Sequence, residues 1–380
     1  MPKIMSFTKK LLFLSLLLSI STFSCSDNLN GKPVEVSKVN QQIIVEKYIE
    51  DTGIPWAMAW LPSGELLITM RAGELRMVKN GILLDQTISG LPEIKVKQQG
   101  GLLDIALHPD YEKNGWIYLS YSKEDGEGNF STAIMRAKLK NMSLVEQEDI
   151  YVAQAYGEKG VHFGSRLSFD NQGFLYFSIG DRGQRDINPQ DISRDAGKVY
   201  RIHDDGRIPE DNPFVSDIDA KSAIFSYGHR NPQGMAKHPI TGDIWTHEHG
   251  PKGGDEVNII AKGKNYGWPV ISYGVNYSGT SFTDLTEKAG MEQPLWYWDP
   301  SIAPSDMVFV TSDKYPQWQG NLLVGSLKFG YLVMLTLDGN KVVKEEIVQE
   351  NLTRIRSISQ GPDGYLYVGA DGVGVYRLLP

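Results

Sequence analysis

The 380-residue chain holds a single cysteine, Cys25. That excludes an intramolecular disulfide framework, paired-cysteine zinc sites and cysteine-ligated iron–sulfur clusters. Basic residues are also scarce. With residues 1–24 set aside, 35 Lys and Arg face 46 Asp and Glu, a net charge of −11. An acidic chain without a basic block is unsuited to a phosphate backbone, so nucleic acid is not expected as a partner. A small anion can still bind in a local basic pocket. The apolar run Leu11–Ile20, broken only by Ser15 and Ser19, is too short to cross a bilayer as a stable helix. It follows Lys9 and Lys10 and has the form of a signal-peptide core. Cys25 comes directly after it, behind Thr22-Phe23-Ser24, a loose form of a bacterial lipoprotein cleavage site. The expectation is a signal peptide over 1–24 and a lipidated Cys25. The protein would then be exported, periplasmic or outer-membrane-associated, and would touch a membrane only through the lipid. An ordinary signal peptide with an incidental cysteine is the alternative. Residues 25–41 are polar and turn-rich and read as a flexible tether, which leaves 42–380 as one domain.

Helical periodicity is nearly absent from that domain. Short β-rich runs alternate with turn residues, which argues for an all-β fold. One unit recurs: an apolar pair, a Pro or Asp, a turn glycine, then an apolar strand. Its glycines are Gly64, Gly115, Gly173, Gly242, Gly320 and Gly364, at a mean spacing of 60 residues. The strands that follow include Glu65-Leu66-Leu67-Ile68, Phe174-Leu175-Tyr176-Phe177 and Tyr365-Leu366-Tyr367-Val368. A four-stranded blade needs about 40–50 residues, so these units leave room for loops at one face. Six such units predict a six-bladed β-propeller, with each glycine at a hairpin turn needing positive φ.

Segments that interrupt the repeat carry the polar chemistry. Gly160-Val161-His162-Phe163-Gly164 places a histidine among glycines at a strand entry, where it can reach an axial cleft and act as a base near neutral pH. Asp181, in Gly180-Asp181-Arg182-Gly183, can orient it or simply cap a turn. Gly228-His229-Arg230-Asn231-Pro232 constrains an arginine and an amide on one loop, suited to a carboxylate. In His247-Glu248-His249-Gly250-Pro251 through Asn258, the two histidines have strand period, and a zinc pair is conceivable without an evident third ligand. The glycine-rich turn beside Asp255 and Glu256 better suits a hard cation such as Ca²⁺. Arg354 and Arg356 share a strand face and repel unless water or an anion screens them; with Lys328 they could converge on an anionic ligand. Trp296, Tyr297 and Trp298 offer flat aromatic surface. Together these residues suit a flat polyanionic cofactor held in an acidic protein.

The motifs resemble those of the soluble quinoprotein glucose/sorbosone dehydrogenases, which use pyrroloquinoline quinone (PQQ), and most nearly the aldose sugar dehydrogenase branch. The likeness runs from Glu46 to Leu379. It rests on Gln99-Gly100-Gly101-Leu102-Leu103, the His162 segment, Gly228 to Gly234, Gly250 to Asn258, Asn265-Tyr266-Gly267-Trp268-Pro269 and Arg354-Ile355-Arg356. The resemblance implies oxidation of the anomeric carbon of an aldose to a lactone, with hydride transfer to Ca²⁺-bound PQQ and electrons passed to an unknown acceptor. It implies His162 as the base, Asp181 as its orienting carboxylate, and Arg230 and Asn231 on the quinone oxygens. Gln99 would lie by cofactor and substrate. Lys328, Arg354 and Arg356 would cradle the PQQ carboxylates, and Trp298 would face the sugar. The carbonyls of Gly250 and Pro251 would bind the Ca²⁺ shared with PQQ, while Glu256 and the Tyr266 carbonyl would belong to a second, structural Ca²⁺ site. One departure is Val161, where the glucose-specific branch has an aspartate; the long loops of that branch are also shortened. The alternatives are a Ca²⁺-dependent sugar lactonase on the same fold, or a surface-anchored propeller that only binds glycan or protein.

Overall fold

The computed structural model describes residues 43–380 apart from residue 51, and the backbone alone at 26–27, 33–34 and 36–38. The signal peptide, Cys25 and most of the tether lie outside the described residues. Strands dominate, and the only α-helix among the described residues is the single turn Tyr111–Asn114. Each blade is built on four antiparallel strands, and blade five carries a fifth. The innermost strands are Pro55–Trp60, Leu102–Leu107, Leu167–Phe169, Pro232–Lys237, Pro304–Phe309 and Ile355–Gln360, one for each of blades one to six. Each touches the next, and the sixth touches the first, so the ring is closed. Blade six takes its outer strand from the start of the domain: Ile44–Glu50 pairs antiparallel with Gly374–Leu379. Joining the two ends of the domain in one sheet closes the ring and completes the sixth blade. The backbone at Val36–Lys38 pairs in parallel with the outer strand of blade five, Lys341–Gln349.

The second strands are buried on both faces, as Leu66–Met70, Leu175–Ile179 and Leu366–Ala370 show. A strand buried on both sides needs apolar residues without alternation, which is the pattern the sequence has there. Successive residues still serve different neighbours. Leu66, Ile68 and Met70 pack against blade six, while Leu67 packs against blade two. Six apolar clusters result, one in each seam between blades. All six repeat glycines fall between the first and second strand of a blade, each with φ between 71° and 95°. These turns lie at one face of the ring. The segments that enter each inner strand, and those that leave each second strand, therefore meet at the opposite face.

Candidate active site

That opposite face gathers the polar segments. Gln99 precedes the inner strand of blade two, His162 that of blade three, Arg230 and Asn231 that of blade four, and Arg354 that of blade six. Asp181, His249, Lys328 and Asp371 follow the second strands of blades three to six. Antiparallel pairing is what brings these distant segments together.

His162 is held in an uncommon conformation, with φ at +54°. For a residue with a Cβ that costs of order 1–3 kcal/mol unless the surroundings impose it. Here they do. The His162 N–H donates to Gln99 Oε1 at 2.8 Å, and Nδ1 lies 2.6 Å from Asp181 Oδ1. Asp181 also accepts from the Gly183 N–H at 2.7 Å and from the Trp268 indole at 2.9 Å. Arg182 stacks on Phe163 and donates to the carbonyls of Lys159, Val161 and Phe130, which pins the loop carrying the histidine. Gly180 lies against this loop, where an added Cβ would stand 2.4 Å from the His162 carbonyl oxygen and 2.8 Å from Asn231 Oδ1. Burial, and then the charges of Arg230 and Arg182, hold the His162 pKa below the ordinary imidazole value, against the pull of Asp181. Burial opposes ionisation of Asp181, but its bonds to His162 and Gly183 and the charge of Arg230 outweigh it and lower its pKa. The pair is therefore a neutral imidazole on a carboxylate. With Nδ1 committed to Asp181, Nε2 is the nitrogen left for a substrate.

His162, Asp181, Arg230, Pro251 and Trp268 line one cavity of about 490 Å³. Gln99, Asn231, His249, Arg354, Arg356 and Asp371 line another of about 220 Å³, together with Arg71. Gln99 and His162 belong to different cavities and are bonded to each other, so the two adjoin. Asn231 Oδ1 accepts from the Gly164 N–H at 3.1 Å, and the Arg230 guanidinium donates to the His249 carbonyl at 3.0 Å. The smaller cavity is cation-rich. Arg354 and Arg356 share one carboxylate, Asp371, at 3.1 and 3.6 Å. Burial lowers the Arg356 pKa to about 10, and its Nε has no hydrogen-bond partner. His249 is neutral, its pKa pushed to about 3 by burial and by Arg230 and Arg356.

A third, very small cavity is lined by Glu248, Gly250, Glu256 and Tyr266. Glu248 and Glu256 are directly opposed cross-strand partners. Burial and the charge of Glu248 push Glu256 up to about 8. Next to them the buried Asn258 Oδ1 has no partner. A buried and a half-buried carboxylate with an orphaned amide oxygen form a donor set that suits a hard cation. Asp255 shapes the neighbouring loop by accepting from the Gly250 N–H at 2.8 Å, the Ser301 hydroxyl at 2.6 Å and the Ala303 N–H at 2.8 Å.

Two expected residues are not brought into these cavities. Trp298 lies in the apolar seam between blades four and five. Its strand, Trp296–Trp298, pairs with Asp255–Ile259, and this register turns both indoles toward blade five. The aromatics at the His162 cleft are Trp268 and Tyr277 instead. Lys328 is exposed at the rim, its ammonium donating to the Ser301 carbonyl at 3.0 Å. His247 and His249 do not form a zinc site with a third ligand: no metal-binding group of three or more His, Cys, Asp or Glu exists among the described residues. Residues not anticipated are Arg71, Arg182, Glu248 and Trp268. Arg71 and His249 occupy the same position after a second strand as Asp371, and that shared position was readable from the repeat.

Known proteins resemble the chain over most of its length. The glucose/sorbosone dehydrogenase family model matches residues 52–377. The chain is 42% identical over 339 residues to the aldose sugar dehydrogenase YliI of Escherichia coli, covering 88% of this chain and 90% of that protein. It is 27% identical to the quinoprotein glucose dehydrogenase B of Acinetobacter calcoaceticus, covering 93% and 91%. The crystal structure of the soluble aldose sugar dehydrogenase of E. coli in its apo-form superposes with a TM-score of 0.85 at 40% identity, covering 89% of this chain and 100% of that one. The chain thus belongs to the glucose/sorbosone dehydrogenase family of oxidoreductases.

Proposed function

We propose that the protein oxidises the anomeric carbon of aldose sugars to lactones, with PQQ and Ca²⁺ as cofactors. The observation that carries this reading is the cation-rich cavity joined to a cleft holding a neutral His162 on Asp181. The smaller cavity suits a flat polyanion, because Arg71, Arg354 and Arg356 line it against a single carboxylate, Asp371. The quinoprotein relative supports the same cofactor class.

Gln99, Asn231, Arg354 and Arg356 would hold PQQ from the cavity wall, Arg230 from the junction and Lys328 from the rim. The Gly250 and Pro251 carbonyls would ligate the Ca²⁺ beside it. Glu256, with Glu248 opposite and the Tyr266 carbonyl, would hold a second Ca²⁺. When bound, PQQ supplies the hydride acceptor, and Ca²⁺ supplies Lewis acidity. The protein's part is proton transfer and positioning. His162 Nε2 takes the proton of the anomeric hydroxyl, which leaves C1 free to release its hydride and become the lactone carbonyl. Asp181 fixes the tautomer and stabilises the imidazolium as it forms. Arg230, 5.3 Å above the Trp268 ring, sets a positive charge beside the reacting centre. Trp268 forms an apolar wall for a sugar face.

His162→Ala tests the assignment. General-base catalysis is typically worth about 10²–10⁴-fold. Turnover should fall by that amount while PQQ still binds, and near-normal turnover would rule the base out. We also propose export and lipidation at Cys25. Mass spectrometry of the mature N-terminus checks this, since an unmodified N-terminus elsewhere would contradict it.

A further inference from the structure

We propose that Arg71 is an additional cofactor-binding residue, pairing with a carboxylate of the anion held in the smaller cavity. The inference rests on the PQQ reading above. Arg71 directly follows the second strand of blade one and lines that cavity with Arg354 and Arg356. Those two arginines share Asp371, so together they bring one net positive charge. Among the described residues Arg71 makes no ion pair. Its one side-chain hydrogen bond among the described residues runs from Nη1 to the carbonyl of Gln98, which lines the same cavity. A guanidinium has five N–H donors, so most of this one is left for a ligand. PQQ is a tricarboxylate. Arg71 raises the net charge of the wall from one to two.

The Gln99-Gly100-Gly101 motif supports the assignment independently. A Cβ on Gly101 would stand 1.8 Å from the Arg71 carbonyl oxygen and 3.0 Å from its Cγ. A Cβ on Gly100 would stand 2.8 Å from Phe163 Cζ. The glycine pair therefore admits Arg71 on one side and the His162 loop on the other. Arg71 stands at the position in blade one that His249 and Asp371 hold in blades four and six, and all three line this cavity.

A purely structural Arg71 would only clamp the Gln98 turn, and substitutions separate the two roles. Arg71→Gln keeps a donor for the Gln98 carbonyl and removes the charge; Arg71→Lys keeps both. PQQ affinity is measured by equilibrium dialysis with Ca²⁺ present, at low and high ionic strength, without sugar. Arg71→Gln should weaken PQQ binding at least about tenfold at low salt, the scale of a lost charge-assisted bond. The gap should narrow as salt screens the pair, and Arg71→Lys should stay within about threefold of the parent. Lys140→Gln, an exposed charge on the outer part of blade two, should bind PQQ as the parent does. Equal affinity of Arg71→Gln and parent overturns the proposal. So does a salt-independent loss shared by both Arg71 variants, which is the signature of a turn clamp. Failure of the parent itself to bind PQQ overturns the functional reading as well.

Discussion

Asp181→Asn is the sharpest probe of the His162 pair. The Asp181 side chain is 1% exposed and accepts three hydrogen bonds, from His162, Gly183 and Trp268. Asparagine keeps a single oxygen. If it faces His162 and Gly183, its amide N–H₂ confronts the Trp268 N–H, leaving buried donors unmet at a cost of about 1–3 kcal/mol. If it faces Trp268, its N–H₂ donates to His162 Nδ1 and drives the ring proton to Nε2, the nitrogen that must act as base. Both orientations remove the charge that stabilises the imidazolium. Turnover should fall by about 10²–10⁴-fold. The pH profile provides a second readout. Burial, Arg230 and Arg182 lower the His162 pKa, and Asp181 pulls it back up. A base works above its pKa, so the acid limb of kcat/KM in the parent lies below the ordinary imidazole value of about 6.5. Without the Asp181 charge it should move further down while the plateau drops. The assay is steady-state dye reduction over about pH 4 to 8, with PQQ affinity measured alongside. A plateau within about threefold of the parent, or a limb that moves up, would refute the reasoning.

Other outcomes follow from the same geometry. Glu256→Gln should abolish most of the Ca²⁺-dependent rise in Tm, which at a hundredfold excess over Kd is worth about 2.7 kcal/mol in the parent; calorimetry with Ca²⁺ and with chelator measures it. Gly180→Ala should force the His162 carbonyl and Asn231 apart at an overpacking cost of about 1–3 kcal/mol. It should lower turnover at least about tenfold with a modest fall in Tm, as kinetics and melting will show. A chain that begins at Thr52 loses the strand Ile44–Glu50 and exposes Gly374–Leu379 as an open edge. Its Tm should fall by at least about 10 °C, or it should aggregate, as scattering during a melt will show.

The propeller was legible because its evidence is local. Each repeat glycine sits in its own hairpin, and the doubly buried second strands are written as unbroken apolar runs. His162, Arg230, Asn231, Arg354 and Arg356 were legible because each interrupts the repeat beside an inner strand. What the sequence hid depends on which loops meet at the axis. Arg71 lies 283 positions before Arg354 in the chain, and only ring closure between blades six and one makes them neighbours. Trp268 reaches Asp181 from a loop of the next blade. Trp298 lies in the seam for a related reason. A Trp-Tyr-Trp triplet shows its alternation but not which face turns to the seam, and pairing with Asp255–Ile259 decides that.

The central claim is that the site oxidises aldoses only when it holds PQQ and Ca²⁺. The direct measurement is dye reduction by the purified mature domain against a panel of aldoses, with each cofactor added singly and together. Sugar-dependent reduction that requires both additions, and that His162→Ala abolishes without loss of PQQ binding, is the predicted result. No PQQ binding at micromolar concentration, or equal reduction without it, would contradict the account.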